Sequence, residues 1–128
     1  MTARTVDVAR VIDASAADAW SLLVDTERWV EWGPSITRVE SASRWLRAGS
    51  RGRVRTVLGL WLPFEVTRFE EGRAWSWRVR GLVATGHRVE PLGPCRCRVV
   101  FEVPRLAWPY ALVCRRALRL IALALTRS

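Results

Sequence analysis

Two periods of apolar and polar residues run along the chain. Over residues 109–126 the period is helical: at about 100° per residue, Arg115, Arg116, Arg119 and Thr126 fall on one stripe, and Tyr110, Val113, Ala117, Leu120, Ile121 and Ala124 on the opposite one. At 1.5 Å per residue this helix is about 27 Å long, enough to cross a small domain. Small residues, Ala117 and Ala124, hold the centre of its apolar stripe, so the surface across from them is either very close backbone or an open space. Upstream, β-branched residues over 6–13 predict a strand. Ser15 follows as an N-cap with Asp18 three residues on, and predicts a helix over 16–24 with Ala16, Ala19, Trp20 and Leu23 on one side. Asp25 reads as the N-cap of a short helix over 26–32, which Gly33-Pro34 ends. Alternation then predicts strands over 35–41, 51–58, 62–69, 73–79, 83–89 and 95–103.

A one-residue slip inverts every side chain of a strand, so the apolar positions constrain the pairing. Trp75, Trp77, Val79, Val83 and Val89 share a buried face if Arg80-Gly81-Leu82 is a three-residue connection, which sets Trp75 opposite His87 and Trp77 opposite Thr85. A Glu71-Gly72 turn sets Val66 against Trp77 and Phe64 against Val79. A loop over 90–94 sets Cys97 against His87 and Val99 against Thr85, and a loop over 59–61 brings Val54, Thr56 and Leu58 to the same side. The expected inner rows are Phe64, Val79, Val83 and Phe101, then Val66, Trp77, Thr85 and Val99, then Arg68, Trp75, His87 and Cys97. The expected outer face carries Arg53, Arg55, Arg78, Arg88, Arg96 and Arg98, diluted by Glu65, Glu90 and Glu102.

Composition changes this picture in three places. A chain of 128 residues, half of them hydrophobic, suits one domain with a real core. The net charge of +9 comes from 21 basic residues that are all arginine, which points to codon bias yet still attracts anions, so nucleic acid, an acidic membrane surface or an acidic ligand are permitted partners. The N-terminus has no apolar run behind a basic start, so no signal peptide is expected and the cytoplasm is the expected compartment. Three arginines in the last helix, at about 2.5 to 3.5 kcal/mol each against roughly 0.5 per leucine returned, argue against a membrane span.

His87 is the only histidine, and with Arg68 beside it the expected register makes it a pocket group for a ligand oxygen. The plainer reading is a histidine bonded to backbone and an arginine reaching water. No second acid/base group accompanies it, which favours binding over turnover. Cys95, Cys97 and Cys114 are odd in number and make no disulfide framework, and Cys95, Cys97 and His87 lack a fourth zinc ligand, so no metal is expected. No phosphate-cradling glycine loop, nucleophile elbow or H-E-x-x-H is present, and no cofactor is expected. Of the eight tryptophans, Trp20, Trp29 and Trp32 suit packing of the small helices, while Trp75 and Trp77 make a flat wall for a planar or isoprenoid ligand.

Several motifs resemble the START-like (SRPBCC) superfamily, and within it the polyketide cyclase/dehydrase-like group. They are I-D-A-S at 12–15, A-W-x-L-L-x-D at 19–25, E-R-W-x-E-W-x-P at 27–34, E-G-R-A-W-S-W-R-V at 71–79 and G-H-R-V-E-P-L-G at 86–93. Ser15 stands where the first motif commonly has proline. The resemblance implies an α+β helix-grip fold: a curved antiparallel sheet wrapped around the long C-terminal helix, with two short helices after the first strand and a hydrophobic cavity between sheet and helix. Onto that fold the expected registers place a ligand site of Val54, Thr56, Phe64, Val66, Arg68, Trp75, Trp77, Thr85, His87, Cys97 and Val99 from the sheet. The helix adds Val113, Ala117, Leu120, Ile121 and Ala124. The expected function is binding of a polyketide-, lipid- or aromatic-like hydrophobic molecule, with cyclase or dehydratase activity as an extension. The alternative is a regulatory or toxin-like interaction protein whose basic sheet face binds ribosome, RNA or a protein partner.

Overall fold

The side chain of Ser15 accepts a hydrogen bond from the backbone N–H of Asp18, and the helix begins there, as the capping pattern requires. The computed structural model describes residues 5–126. In chain order they form β1 (Thr5–Ile12), α1 (Ala16–Val24), a 3-10 turn (Thr26–Arg28), α2 (Trp29–Trp32), β2 (Ile36–Ser41), β3 (Arg51–Thr56) and β4 (Trp61–Glu70). β5 (Ala74–Val79), β6 (Leu82–Gly93), β7 (Arg96–Pro104), a 3-10 segment (Arg105–Tyr110) and α3 (Ala111–Thr126) complete them. The strands make one antiparallel sheet in the order β1-β7-β6-β5-β4-β3-β2, with both short helices and α3 on its inner face. This is the helix-grip arrangement.

Asp25 ties the helical segment to the long β2–β3 connection. Its carboxylate caps the 3-10 turn through Glu27 N and accepts two hydrogen bonds of 2.9 Å from Arg44, which hold it below the usual carboxylate range despite its burial. Trp29 and Trp32 anchor α2 from the other side. Their indole N–H groups donate to the carbonyls of Leu23 and Leu22, acceptors that the last turn of α1 leaves without intrahelical partners.

Three connections differ from the expected ones. The β5–β6 turn has two residues, Arg80 (φ 55°) and Gly81 (φ 74°), so Val79 faces Leu82 and Val83 faces Arg78, leaving Val83 70% exposed at the edge of a cavity rather than in an inner row. A bulge that sets Ala84 and Thr85 together against Trp77 then restores the pairing of Trp75 with His87. In β4, Val66 faces Trp77 and Phe64 faces Val79 as expected, but a bulge at Thr67 turns Arg68 to the outer face opposite Ser76. There it pairs with Glu70, and Phe69 takes the inner place beside Trp75. β6 runs on to Gly93, so His87 faces Phe101, Val89 faces Val99, and Cys97 sits opposite Pro91 rather than His87. The slide is of even length, and Cys97, Val99 and Phe101 therefore keep their inward orientation. Leu58 lies in the β3–β4 turn and is exposed.

α3 packs mainly on α2 and β1. Its buried stripe is Cys114, Ala117, Leu118 and Ile121, while Val113, Leu120 and Ala124 flank it half-buried. The expected stripe is thus rotated toward Leu118, because β1, the edge strand, and not the middle of the sheet, lies beneath the helix.

Candidate functional site

The expected gap between α3 and the Trp75–Trp77–His87 wall is filled. Trp29 stacks on Trp75 with ring centroids 5.5 Å apart and planes 8° from parallel, and it meets Phe64 and Trp77 at 5.4 Å. Trp32 packs edge-on against Phe101. What remains in front of Val113, Cys114 and Ala117 is a space of about 30 Å³, room for water but not for a ligand.

A larger cavity, of about 340 Å³, lies further along the inner face. Val54 and Thr56 of β3, Leu62 of β4, Trp77 and Val79 of β5, Val83, Ala84 and Thr85 of β6 and Val103 of β7 form one wall. Ser35, Ile36, Pro104, Ala107 and Tyr110 form the other. The second wall exists because the segment before α3 is not continuous helix: it leaves the sheet at Pro104, runs as 3-10 helix, and bends at Ala107 (φ −108°, ψ 28°).

The polar groups of this cavity are few and mostly committed. Trp77 Nε1 donates to Thr85 Oγ1 at 3.0 Å, Thr85 Oγ1 lies 2.9 Å from His87 Nε2, and His87 Nδ1 lies 3.3 Å from the carbonyl oxygen of Trp75. An indole N–H only donates and a carbonyl only accepts, so the proton of a neutral imidazole resides on Nδ1 and the Thr85 hydroxyl donates to Nε2. Burial pushes the His87 pKa down to about 3, which keeps the ring neutral. Thr85 accordingly presents a lone pair, and no proton, to the cavity. Thr56 Oγ1 is buried without a partner, and Tyr110 shares a 2.9 Å hydrogen bond with Ser35 across the join between the two spaces. Burial also raises the Tyr110 phenol and the thiols of Cys97 and Cys114, the last to about 11. These thiols stay protonated and weakly nucleophilic at neutral pH.

Of the residues expected to form the site, Val54, Thr56, Trp77 and Thr85 line the 340 Å³ cavity, and Trp75, His87, Val113 and Ala117 reach only the small space. Phe64, Val66, Cys97, Val99 and Ile121 are packed into the core, Leu120 and Ala124 are half-buried, and Arg68 is on the outer face. The second wall is not legible from alternation, because residues 104–108 carry no clear period and 109–126 reads as one helix. The available signal is the pair of prolines, Pro104 just before the 3-10 segment and Pro109 within it. On the outer face the arginines are largely paired: Arg51 with Glu65, Arg53 with Glu40, Arg98 with Glu90, and Arg88 with Asp7, Glu90 and Glu102. Among the described residues no group of His, Cys, Asp and Glu side chains is arranged to hold a metal, and no helix is long and apolar enough to cross a membrane.

Fold and hollow together define a helix-grip protein with an apolar cavity between its sheet and the segment that leads into its last helix. A sequence profile of the family described as polyketide cyclase / dehydrase and lipid transport matches residues 3–127, and the chain belongs to that family. The family supports hydrophobic-ligand binding in general. Among solved structures, XoxI from Bacillus cereus is similar over 98% of this chain and 97% of its own (TM-score 0.77, 10% identity). The di-domain ARO/CYC BexL from the BE-7585A biosynthetic pathway matches 94% of this chain with 45% of its own (0.74, 16%). Truncated norcoclaurine synthase from Thalictrum flavum matches 100% and 99% (0.66, 12%). These likenesses show the fold. No curated protein sequence matches the chain.

Proposed function

We propose that the chain binds a hydrophobic small molecule in the 340 Å³ cavity between the sheet and the Arg105–Tyr110 segment. The observation that carries this reading is the cavity's wall: apolar side chains around a few hydroxyl groups, at the lower end of the volumes that small-molecule sites occupy. Its size suits a compact aromatic or polyketide-like body, or a single acyl chain, better than a whole phospholipid. Thr85 supplies an acceptor lone pair, and the unpartnered Thr56 hydroxyl can donate or accept, so the favoured ligand carries a hydroxyl, amide or carbonyl group on an apolar frame.

The reading is binding rather than turnover. Among the described residues Tyr110 is the one titratable group in the wall, and its pKa is raised; His87 lies behind Thr85, neutral and with both nitrogens engaged. Neither is poised to move a proton near neutral pH. The interaction-protein alternative has less support, because most outer-face arginines are neutralised by carboxylates. Three unpaired cysteines suit a reducing compartment such as the cytoplasm.

The test is to fill the cavity. Ala84→Phe and Ala107→Phe should each abolish binding of an apolar fluorescent probe, while Ala117→Ser, which faces only the small space, should leave it unchanged. Native mass spectrometry of protein purified from its own host should show a retained hydrophobic mass that the filled variants lose. Unaltered probe binding by both filled variants would place the ligand elsewhere.

A further inference from the structure

β3, β5 and β7 are mutually parallel in this sheet, so the connections that follow them lie at one end. That end is where the cavity's lining residues Thr56, Val79, Pro104 and Ala107 sit. At or directly beside each of the three connections stands a bulky apolar side chain left exposed among the described residues: Leu58 (82% exposed) after β3, Leu82 (71%), the first residue of β6, after the β5–β6 turn, and Leu106 (102%) with Trp108 (65%) after β7. Single exposed leucines are ordinary. Three separate turns that place them around one cavity mouth form a rim.

The charge around the rim has one sign. The β3–β4 and β5–β6 turns, the 3-10 segment and α3 contain no aspartate or glutamate. Arg80 stands in the second turn, and Arg115, beside Trp108 in the groove between α3 and β1, continues onto the exposed Arg116 and Arg119. The carboxylate in that groove, Asp7, is paired with Arg88. A second copy of the chain would bring the same arginines and, with Asp7 engaged by Arg88, no free carboxylate to the contact. Leucine and tryptophan tips on turns, backed by arginine, match instead the two layers of a bilayer surface: acyl chains for the tips and anionic headgroups for the guanidinium groups.

We propose that this rim docks the mouth of the cavity onto a membrane surface containing anionic phospholipid. The docking stands on the rim alone, whether or not the cavity holds a ligand.

The experiment is co-sedimentation with phosphatidylcholine vesicles, with and without phosphatidylglycerol. The wild-type protein should bind only the anionic vesicles, more weakly at high salt. The triple variant Leu58→Ser, Leu82→Ser, Leu106→Ser should partition about tenfold or more weakly with an unchanged melting temperature, because its substitutions are at the surface. The filled variant Ala84→Phe should still bind vesicles, which separates this proposal from the ligand reading. Absence of binding to anionic vesicles at low salt would overturn it. So would equal binding by the triple variant, or RNA binding that the triple substitution abolishes while vesicle binding is unaffected.

Discussion

Thr85 has one proton to donate, and the geometry commits it to His87 Nε2, while His87 donates its own to the Trp75 carbonyl. The register that puts Trp75 opposite His87 was legible from alternation alone, because both neighbours of each residue would otherwise be misplaced. The protonation state was not, since it depends on the complete enclosure of the ring by Trp75, Trp77, Trp32 and Phe101. This enclosure has a consequence for stability. The folded pKa of about 3 lies below the ordinary 6.5, so the unfolded chain binds a proton between these values and the native chain does not. Stability from this group is fully present above about pH 6.5 and falls as the pH is lowered toward 3. Between pH 6.5 and 4.5 the loss should be about 2 to 3 kcal/mol in urea unfolding, and the His87 ring resonances should not shift between pH 8 and 5. A ring that titrates near 6.5 would mean that His87 is open to water.

At the scale of elements, local chemistry set the ends correctly where a cap or a turn residue acts. Ser15 opens α1, and Asp25 and Gly33 bound residues 26–32 as read from the sequence, although that stretch is a 3-10 turn running into α2 rather than one helix. The β5–β6 hairpin went differently because its turn uses a non-glycine residue, Arg80, at positive φ, and the sheet recovers its register through a bulge. Arginine carries a Cβ that this conformation disfavours, whereas asparagine tolerates it. Arg80→Asn should therefore raise stability by about 0.5 to 1 kcal/mol, read as a higher urea midpoint with an unchanged slope. The same logic explains the loss of Arg68 from the inner face: one bulge residue, Thr67, inverts everything after it until the strand ends.

Across the whole molecule, the position of α2 decides where open space remains. Trp29 fills the centre between sheet and helix, and α3, displaced toward β1, leaves the cavity to the segment that precedes it. Trp29→Ala should cost about 3 to 5 kcal/mol and enlarge the space before Ala117, detectable as a lower urea midpoint and as binding of a second, small apolar probe that the wild type excludes. Hydrophobic period, caps and turn residues act over neighbours in the chain, so the sequence by itself determined the order of elements, the antiparallel sheet, the inward faces of most strands and the family resemblance. The location of the hollow was decided only in three dimensions. It depends on which indole fills which gap, on two bulges that re-aim Arg68 and Thr85, and on a 3-10 segment whose bend follows from its contacts with β7 and β1. Close packing permits one such solution, and it couples residues far apart in the chain.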